Sequence, residues 1–264
     1  MENHYALVTG GSQGFGKSIA LEFARRKMNL LLVSLPDSGQ WELSNFIRKN
    51  FNVEVLCLEL DLCKTDSCYI ISDFIKDNNL QIKYLVNNAG ILSQGFFEEL
   101  DDAFIIRQIE VNVLAPTLLT KLLLENLKTS SPSAILNISS LAAFFPLPKK
   151  QVYCGTKSYL LSFSKSLKKE LKKYNISVSA ICPGGLNTTT TMCYKNRILG
   201  WISRESILNP EKAAIIAIDG MMNKKTVIIP GFINKCFMFF DKLVPEFIKD
   251  ILTSKQIKEF PSTT

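Results

Sequence analysis

Tyr153 and Lys157, four apart in YCGTK, are the two residues whose types and spacing most directly suggest chemistry. On a helix that spacing puts both side chains on one face, about a turn apart. A phenol has a reference pKa of ~10 and exchanges protons poorly near neutral pH, so the ammonium is expected to lower it by favouring the ionised form. Such a pair suits a reaction in which an oxygen gains or loses a proton. Upstream, Ser139 and Ser140 end an apolar run, and a hydroxyl there can stabilise charge on the same oxygen. Near the N-terminus, TGGSQGFG (Thr9 to Gly16) joins a β-rich run to an amphipathic stretch. Glycine allows positive φ and close approach of backbone to a phosphate, and the helix that follows aims free N–H groups and its positive dipole end there.

Taken singly, each motif has an ordinary reading: a solvated aromatic beside a charge, a serine pair capping a loop, a glycine turn ending a strand. Position decides between the readings. Short apolar runs alternate with longer amphipathic ones, the pattern of strand-helix-strand units around a parallel sheet. Strands are predicted at 5–9, 30–34, 53–58, 84–86, 134–139, 177–181 and 226–229. Helices are predicted at 14–26, 41–51, 66–78, 102–127, 151–174 and 210–222. Right-handed crossovers cover both faces of such a sheet, which explains runs as apolar as LLLVSL from Leu30. The expectation is a single doubly wound α/β domain with a seven-stranded parallel sheet, covering residues 1–230, with 231–264 as a helical tail of the same domain.

Composition narrows the partners. Forty-seven per cent hydrophobic residues are enough for a sizeable core and argue against disorder. The net charge of +7 comes from lysines and arginines spread along the chain, with a short cluster at Lys168, Lys169, Lys172 and Lys173 that reads as a solvated helix face, so nucleic acid is not expected. Seven cysteines without a CxxC pair, and one histidine, His4, point to reduced thiols and no metal. The chain begins MENHYALVTGG without a leader pattern and has no run of ~18 uninterrupted apolar residues, so a cytoplasmic location is expected.

The turn's spacing, TGxxxGxG, departs from the common GxGxxG fingerprint and resembles the short-chain dehydrogenase/reductase family. Asp61 in LDL, NNAG at 87–90, Asn112 in VNVLAP, NISS at 137–140, YCGTK at 153–157 and PGGLNT at 183–188 follow in the family's order. The resemblance implies a Rossmann-type domain and an oxidoreductase moving a hydride between a nicotinamide cofactor and a ketone or secondary alcohol. A carbonyl that accepts hydride needs a proton, and Tyr153 is the group to supply it. The family spacing of thirteen between serine and tyrosine selects Ser140. Lys157 is assigned the phenol and the nicotinamide ribose, and Asn112 a water relay to Lys157. The resemblance places the cofactor against Thr9, Gly10, Ser12, Gln13, Gly14, Phe15 and Gly16 in the first turn. It adds Ser34, Asp61, Leu62, Asn88, Ala89 and Gly90 along the sheet edge, then Tyr153, Lys157, Pro183, Gly184 and Thr188.

After the second strand an acidic side chain would select NAD and a basic one NADP. Leu35 occupies that place, and Ser12, Ser34 and Ser38 are potential donors to a phosphate, so NADP(H) is favoured over NAD(H). Against this, Gln13 replaces a basic residue that some NADP-dependent members carry, and Asp37 lies nearby. Residues 187–209 correspond to the family's substrate lid. Met192, Tyr194, Ile198 and Trp201, with Phe144, Phe145 and Leu147, either line an apolar pocket or pack lid on core. From Pro230 the tail reads as an amphipathic helix broken at Pro245, left open between core packing, a subunit contact and a membrane surface. The resemblance further implies a lipid-like, 3-oxoacyl or steroid-like substrate and a homodimer or homotetramer built on the helices around Asp102 and Gln151. The rival functions are a non-catalytic redox sensor and a peripheral membrane protein acting through its tail.

Overall fold

Leu30 to Val33 and Ala134 to Leu136 are shielded on both sides, as strands must be when helices cover both faces of a sheet. The computed structural model of the chain describes residues 4–92, 95–188 and 207–241. Its strands are β1 (His4–Thr9), β2 (Asn29–Ser34), β3 (Val55–Glu59), β4 (Gln81–Asn87), β5 (Ser133–Ile138), β6 (Ile176–Ile181) and β7 (Val227–Ile228). All pair in parallel, in the order β3-β2-β1-β4-β5-β6-β7. This is the doubly wound, Rossmann-type sheet expected from the pattern of runs. The order reverses between β1 and β4, so the chain leaves these two strands in opposite directions and a crevice opens above their carboxyl ends.

The helices are α1 (Gly14–Arg25), α2 (Gln40–Phe51), α3 (Thr65–Asp77), α4 (Asp102–Ile109), α5 (Ala115–Leu122), α6 (Leu124–Thr129), α7 (Gln151–Leu171), α8 (Pro210–Met222) and α9 (Phe232–Asp241). One apolar layer joins α1, α2 and α8 to the sheet through Phe15, Ile19, Phe23, Ile47, Ile218 and Met221. The other joins α3, α5 and α6 through Ile71, Ile75, Leu119 and Leu127. Phe15, Ile19 and Phe23 recur every four residues, which sets the buried stripe of α1.

The predicted helix over 102–127 is three helices. A π-helical turn, Glu110–Leu114, sits between α4 and α5, and a further break precedes α6 at Leu123. One residue inserted into a helix leaves the apolar spacing nearly unchanged, so periodicity cannot register it. By length and composition Asp102–Leu122 would pass for a membrane-crossing helix, yet it packs against α3 and α7. Ile106, Ile109 and Leu114 on this run face solvent.

A buried polar ladder crosses the sheet under the crevice. Asn87 on β4 donates to Asn137 Oδ1 on β5 at 2.7 Å and to Thr120 Oγ1 on α5 at 3.3 Å. Asn137 Nδ2 donates to Ser164 Oγ on α7 at 2.8 Å, and Ser164 to the Leu160 carbonyl at 2.6 Å. This ladder sets the height of α7 against the strand ends. Asn137→Ala should therefore remove one buried hydrogen bond from each of Asn87 and Ser164 and lower unfolding stability by about 2–4 kcal/mol, as read from urea denaturation; a loss under about 0.5 kcal/mol would contradict that role.

Candidate active site

The two turns that open above β1 and β4 are laced together. Gly10 and Gly14 take φ of 62° and 53°, which ordinary side chains resist. At Gly16 a Cβ would overlap the Gly10 carbonyl oxygen and the Asn88 amide. Asn88 Nδ2 donates to the carbonyls of Thr9 and Gly10 at 2.9 and 3.0 Å. Thr9 Oγ1 accepts from the backbone N–H of Asn88 and Ala89 at 3.0 and 3.1 Å and donates to the Val86 carbonyl at 3.3 Å. Thr9, buried, thus ties the turns from beneath.

Two cavities flank these turns, of about 530 and 490 Å³. Gly10, Ser12, Gln13, Ser34, Leu35, Ser38, Asp61, Leu62 and Ala89 line the second, and Gly90 and Ile91 belong to both. Gly14 lies beside Thr188, to whose Cβ an added methyl would stand at 3.5 Å. The first turn of α1 has no acidic residue and no side-chain cap, so its N–H groups and dipole are available to a diphosphate. Ser34 Oγ accepts from the Ser12 backbone at 3.2 Å, and Gln13 donates to the Ser38 carbonyl at 3.0 Å. Asp61 is partly held by its own loop, accepting from Cys63 N at 3.0 Å. Ser38 Oγ and both amide atoms of Gln40 are buried without a hydrogen-bond partner.

The first cavity gathers the acid/base candidates. Tyr153, Lys157, Ser140, Phe15, Pro183, Gly184 and Thr188 line it. The buried stripe of α7 runs Cys154, Lys157, Leu160, Leu161 and Ser164, so Lys157 holds a position where the helix would otherwise bury an apolar residue. Its Nζ lies 5.6 Å from the centre of the Tyr153 ring and donates to the Ile138 carbonyl at 2.8 Å. Ser139 donates to the Lys157 carbonyl at 2.8 Å and so supports the helix; both serines line the cavity, and Ser140 Oγ accepts from Ala142 N at 3.1 Å.

Burial moves the two titrating groups in opposite senses. It drives Lys157 down to about 8, because the charged form is penalised. The neighbouring Cys182 thiol, pushed up to about 11 by its own burial, stays neutral and gives the ammonium no counter-ion. Burial raises the Tyr153 phenol, and the Ser140 hydrogen bond opposes this. The expected lowering by Lys157 is not realised: burial outweighs the Ser140 hydrogen bond, and the phenol stays above its ordinary value.

Asn112 sits fully buried in the π-helical turn. Its Nδ2 donates to the Ile91 carbonyl at 2.9 Å and to Thr156 Oγ1 at 3.1 Å, and its Oδ1 accepts from Ile91 N at 2.8 Å. A methyl on Gly90 would stand 3.2 Å from Asn112 Oδ1 and 3.3 Å from Lys157 Nζ, so glycine keeps open a gap that both atoms border.

Met192, Tyr194, Ile198 and Trp201 and the break at Pro245 lie outside the described residues. On either side of residues 189–206, Leu186 and Leu208 meet in a parallel bridge. Of the aromatic-rich group, Leu147 lines the cavity, whereas Phe144 packs on the cluster containing Leu161 and Cys182. The described part of the tail, α9, docks on the core: Met238 joins that same cluster, and Asn234 is buried in the cavity wall. Sequence reasoning missed Asn234, Lys150, Ile91 and Leu92 as lining residues. Lys150 carried a signal, a cation at the positive end of a helix; the others had none.

A Rossmann-type sheet with a glycine turn at its switch point and a phenol–ammonium pair beside it is the arrangement that the short-chain dehydrogenase class would present. The description "short chain dehydrogenase" matches residues 4–197, and the chain belongs to that family. It is similar to the very-long-chain 3-oxoacyl-CoA reductase of Rattus norvegicus, 37% identical over 185 residues, covering 68% of this chain and 58% of that protein. The chain thus spans a little over half the length of that relative. It is 28% identical to the human 17-beta-hydroxysteroid dehydrogenase 13 over 258 residues, covering 96% and 83%. Among solved structures, a short-chain dehydrogenase from Sphingobium yanoikuyae in complex with NADPH superposes with a TM-score of 0.79 at 25% identity, covering 98% of this chain and 97% of that one.

The packing at Gly16 gives a direct test of the turn. Gly16→Ala must push apart the turns after β1 and β4, so nucleotide affinity should fall at least about tenfold in a fluorescence titration while the fold, by circular dichroism, persists. Unchanged affinity would mean that the turn does not shape the nucleotide site.

Proposed function

We propose that the chain reduces a ketone to a secondary alcohol with NADPH, using Tyr153 as the proton donor. The observation that carries this reading is convergence: Tyr153, Lys157 and Ser140 open onto one cavity, which meets the nucleotide-shaped cavity at Gly90 and Ile91. When bound, the nicotinamide supplies the hydride to the carbonyl carbon. The Ser140 hydroxyl orients the substrate oxygen by donating a hydrogen bond, and the Tyr153 phenol passes its proton to that oxygen. A phenol raised by burial keeps its proton at neutral pH, which suits an acid and favours the reductive direction. Lys157, still charged below about 8, stabilises the phenolate left behind. The gap over Gly90 is where a water relayed between Asn112 and Lys157 would return the proton.

We read the cofactor as NADP(H) for three reasons. No carboxylate follows β2 at Leu35; Ser12, Ser34 and Ser38 line the adenosine end; and Ser38 Oγ is buried and unpartnered. Donors of this kind fit an extra phosphate. The Sphingobium relative was solved with NADPH, which agrees with this reading. The apolar wall of Ile91, Leu92, Leu141, Leu147 and Leu186 suits a lipid-like, 3-oxoacyl or steroid-like substrate, in keeping with the names of the reductase and hydroxysteroid relatives.

Tyr153→Phe should reduce turnover of a ketone panel by at least about a thousandfold while NADPH binds near wild-type affinity, since only the proton donor is gone. Appreciable turnover by that variant would remove the phenol from the mechanism. In side-by-side fluorescence titrations NADPH should bind at least about tenfold more tightly than NADH, the worth of one or two charge-assisted hydrogen bonds; tighter NADH binding would overturn the cofactor reading.

A further inference from the structure

One charge on the wall of the catalytic cavity has no part in the proton transfer. Lys150 lines the cavity, half-buried, one helical turn before Tyr153. It stands at the start of α7 with Lys149 before it, no acidic residue in the first turn and no side-chain cap. Cations at the positive end of a 21-residue helix oppose its dipole, so the placement runs against what helix stability prefers. Lys149 stands over the Phe96 ring at 4.2 Å, turned outward from a left-handed backbone with φ of 62°. Among the described residues no carboxylate pairs with Lys150, and no aspartate or glutamate lines the cavity. Leu147, whose carbonyl accepts from Lys150 N at 3.2 Å, is apolar, as is Leu92 elsewhere on the cavity wall. A cation that lacks a partner and is partly shielded by apolar walls attracts an anion more strongly than a fully solvated one.

We propose that Lys150 binds an anionic group, carboxylate or phosphate, carried by the substrate roughly one helical turn from the reacting carbonyl. The proposal rests on the reading of this cavity as a ketone-reducing site and narrows its substrate class to anionic carbonyl compounds. Neighbouring apolar side chains hold the carbon chain between the two ends, Lys150 holds the charge, and Ser140 and Tyr153 hold the oxygen.

The test compares kcat/KM with NADPH for 5-oxohexanoate, the phosphonate of equal chain length and the neutral methyl ester. Wild type should favour at least one anion over the ester by about tenfold, the effect of one charge-assisted hydrogen bond, and the anion favoured identifies the group. Lys150→Gln should bring that ratio close to one. Lys168→Gln, the same charge change near the far end of α7, should leave it as in wild type. An unchanged ratio in Lys150→Gln, or an equal loss in Lys168→Gln, would overturn the assignment. Should none of the three compounds be reduced, the ketone-reductase reading fails for them. The anion site is then judged by calorimetric binding of 5-oxohexanoate to the protein with NADP: weaker binding by Lys150→Gln supports it, and equal binding overturns it.

Discussion

A lysine ammonium buried in the stripe of a helix, bonded to a backbone carbonyl and lacking a counter-ion among the described residues, is the constraint that the rest of the site answers to. Lys157 is 4% exposed, and its Nζ donates to the Ile138 carbonyl. Such burial is costly, and the polar ladder from Asn87 through Asn137 to Ser164, with Ser139 holding the Lys157 carbonyl, keeps the helix from sliding to relieve it. The same burial that brings the ammonium to about 8 raises the phenol beside it. Below about 8 both groups therefore hold their protons, which in the proposed reaction makes one a charge beside a phenolate and the other the acid. Opposite shifts from one shared environment are how a site assigns distinct roles to neighbouring groups.

The sheet places this pair where a long cofactor can reach it. Because strand order reverses between β1 and β4, the glycine turn, the NNAG turn and the start of α7 all rise around one crevice. Thr9 and Asn88 lace the first two turns together, and Asn112 clamps the backbone at Ile91 from its π-helical turn. Gly90 and Ile91 then form the shared wall between the two cavities. Irregular backbone is concentrated where ligand and protein must approach closely, and regular helix and strand elsewhere hold it in register.

Much of this was legible in the residues. The strand runs declared themselves because buried parallel strands are apolar on both faces, and the order of short motifs indicated the family. Three things were not. The π-helical turn at Asn112 was hidden because its inserted residue leaves the apolar spacing almost intact. The raised phenol was missed because spacing along a helix shows how near two groups are but not how dry their surroundings are. Asn234 reaches the cavity only because the chain after β7 folds back over it, a long-range contact with no local signature.

Titration of the lysine side chains by carbon NMR, with the Lys157 resonance assigned through its loss in Lys157→Met, addresses the central claim most directly. The account predicts a midpoint near 8 for that one resonance. A midpoint at the ordinary lysine value of ~10.4 would contradict it, because the ammonium would then be solvated or paired and would not be the buried charge on which the site is built.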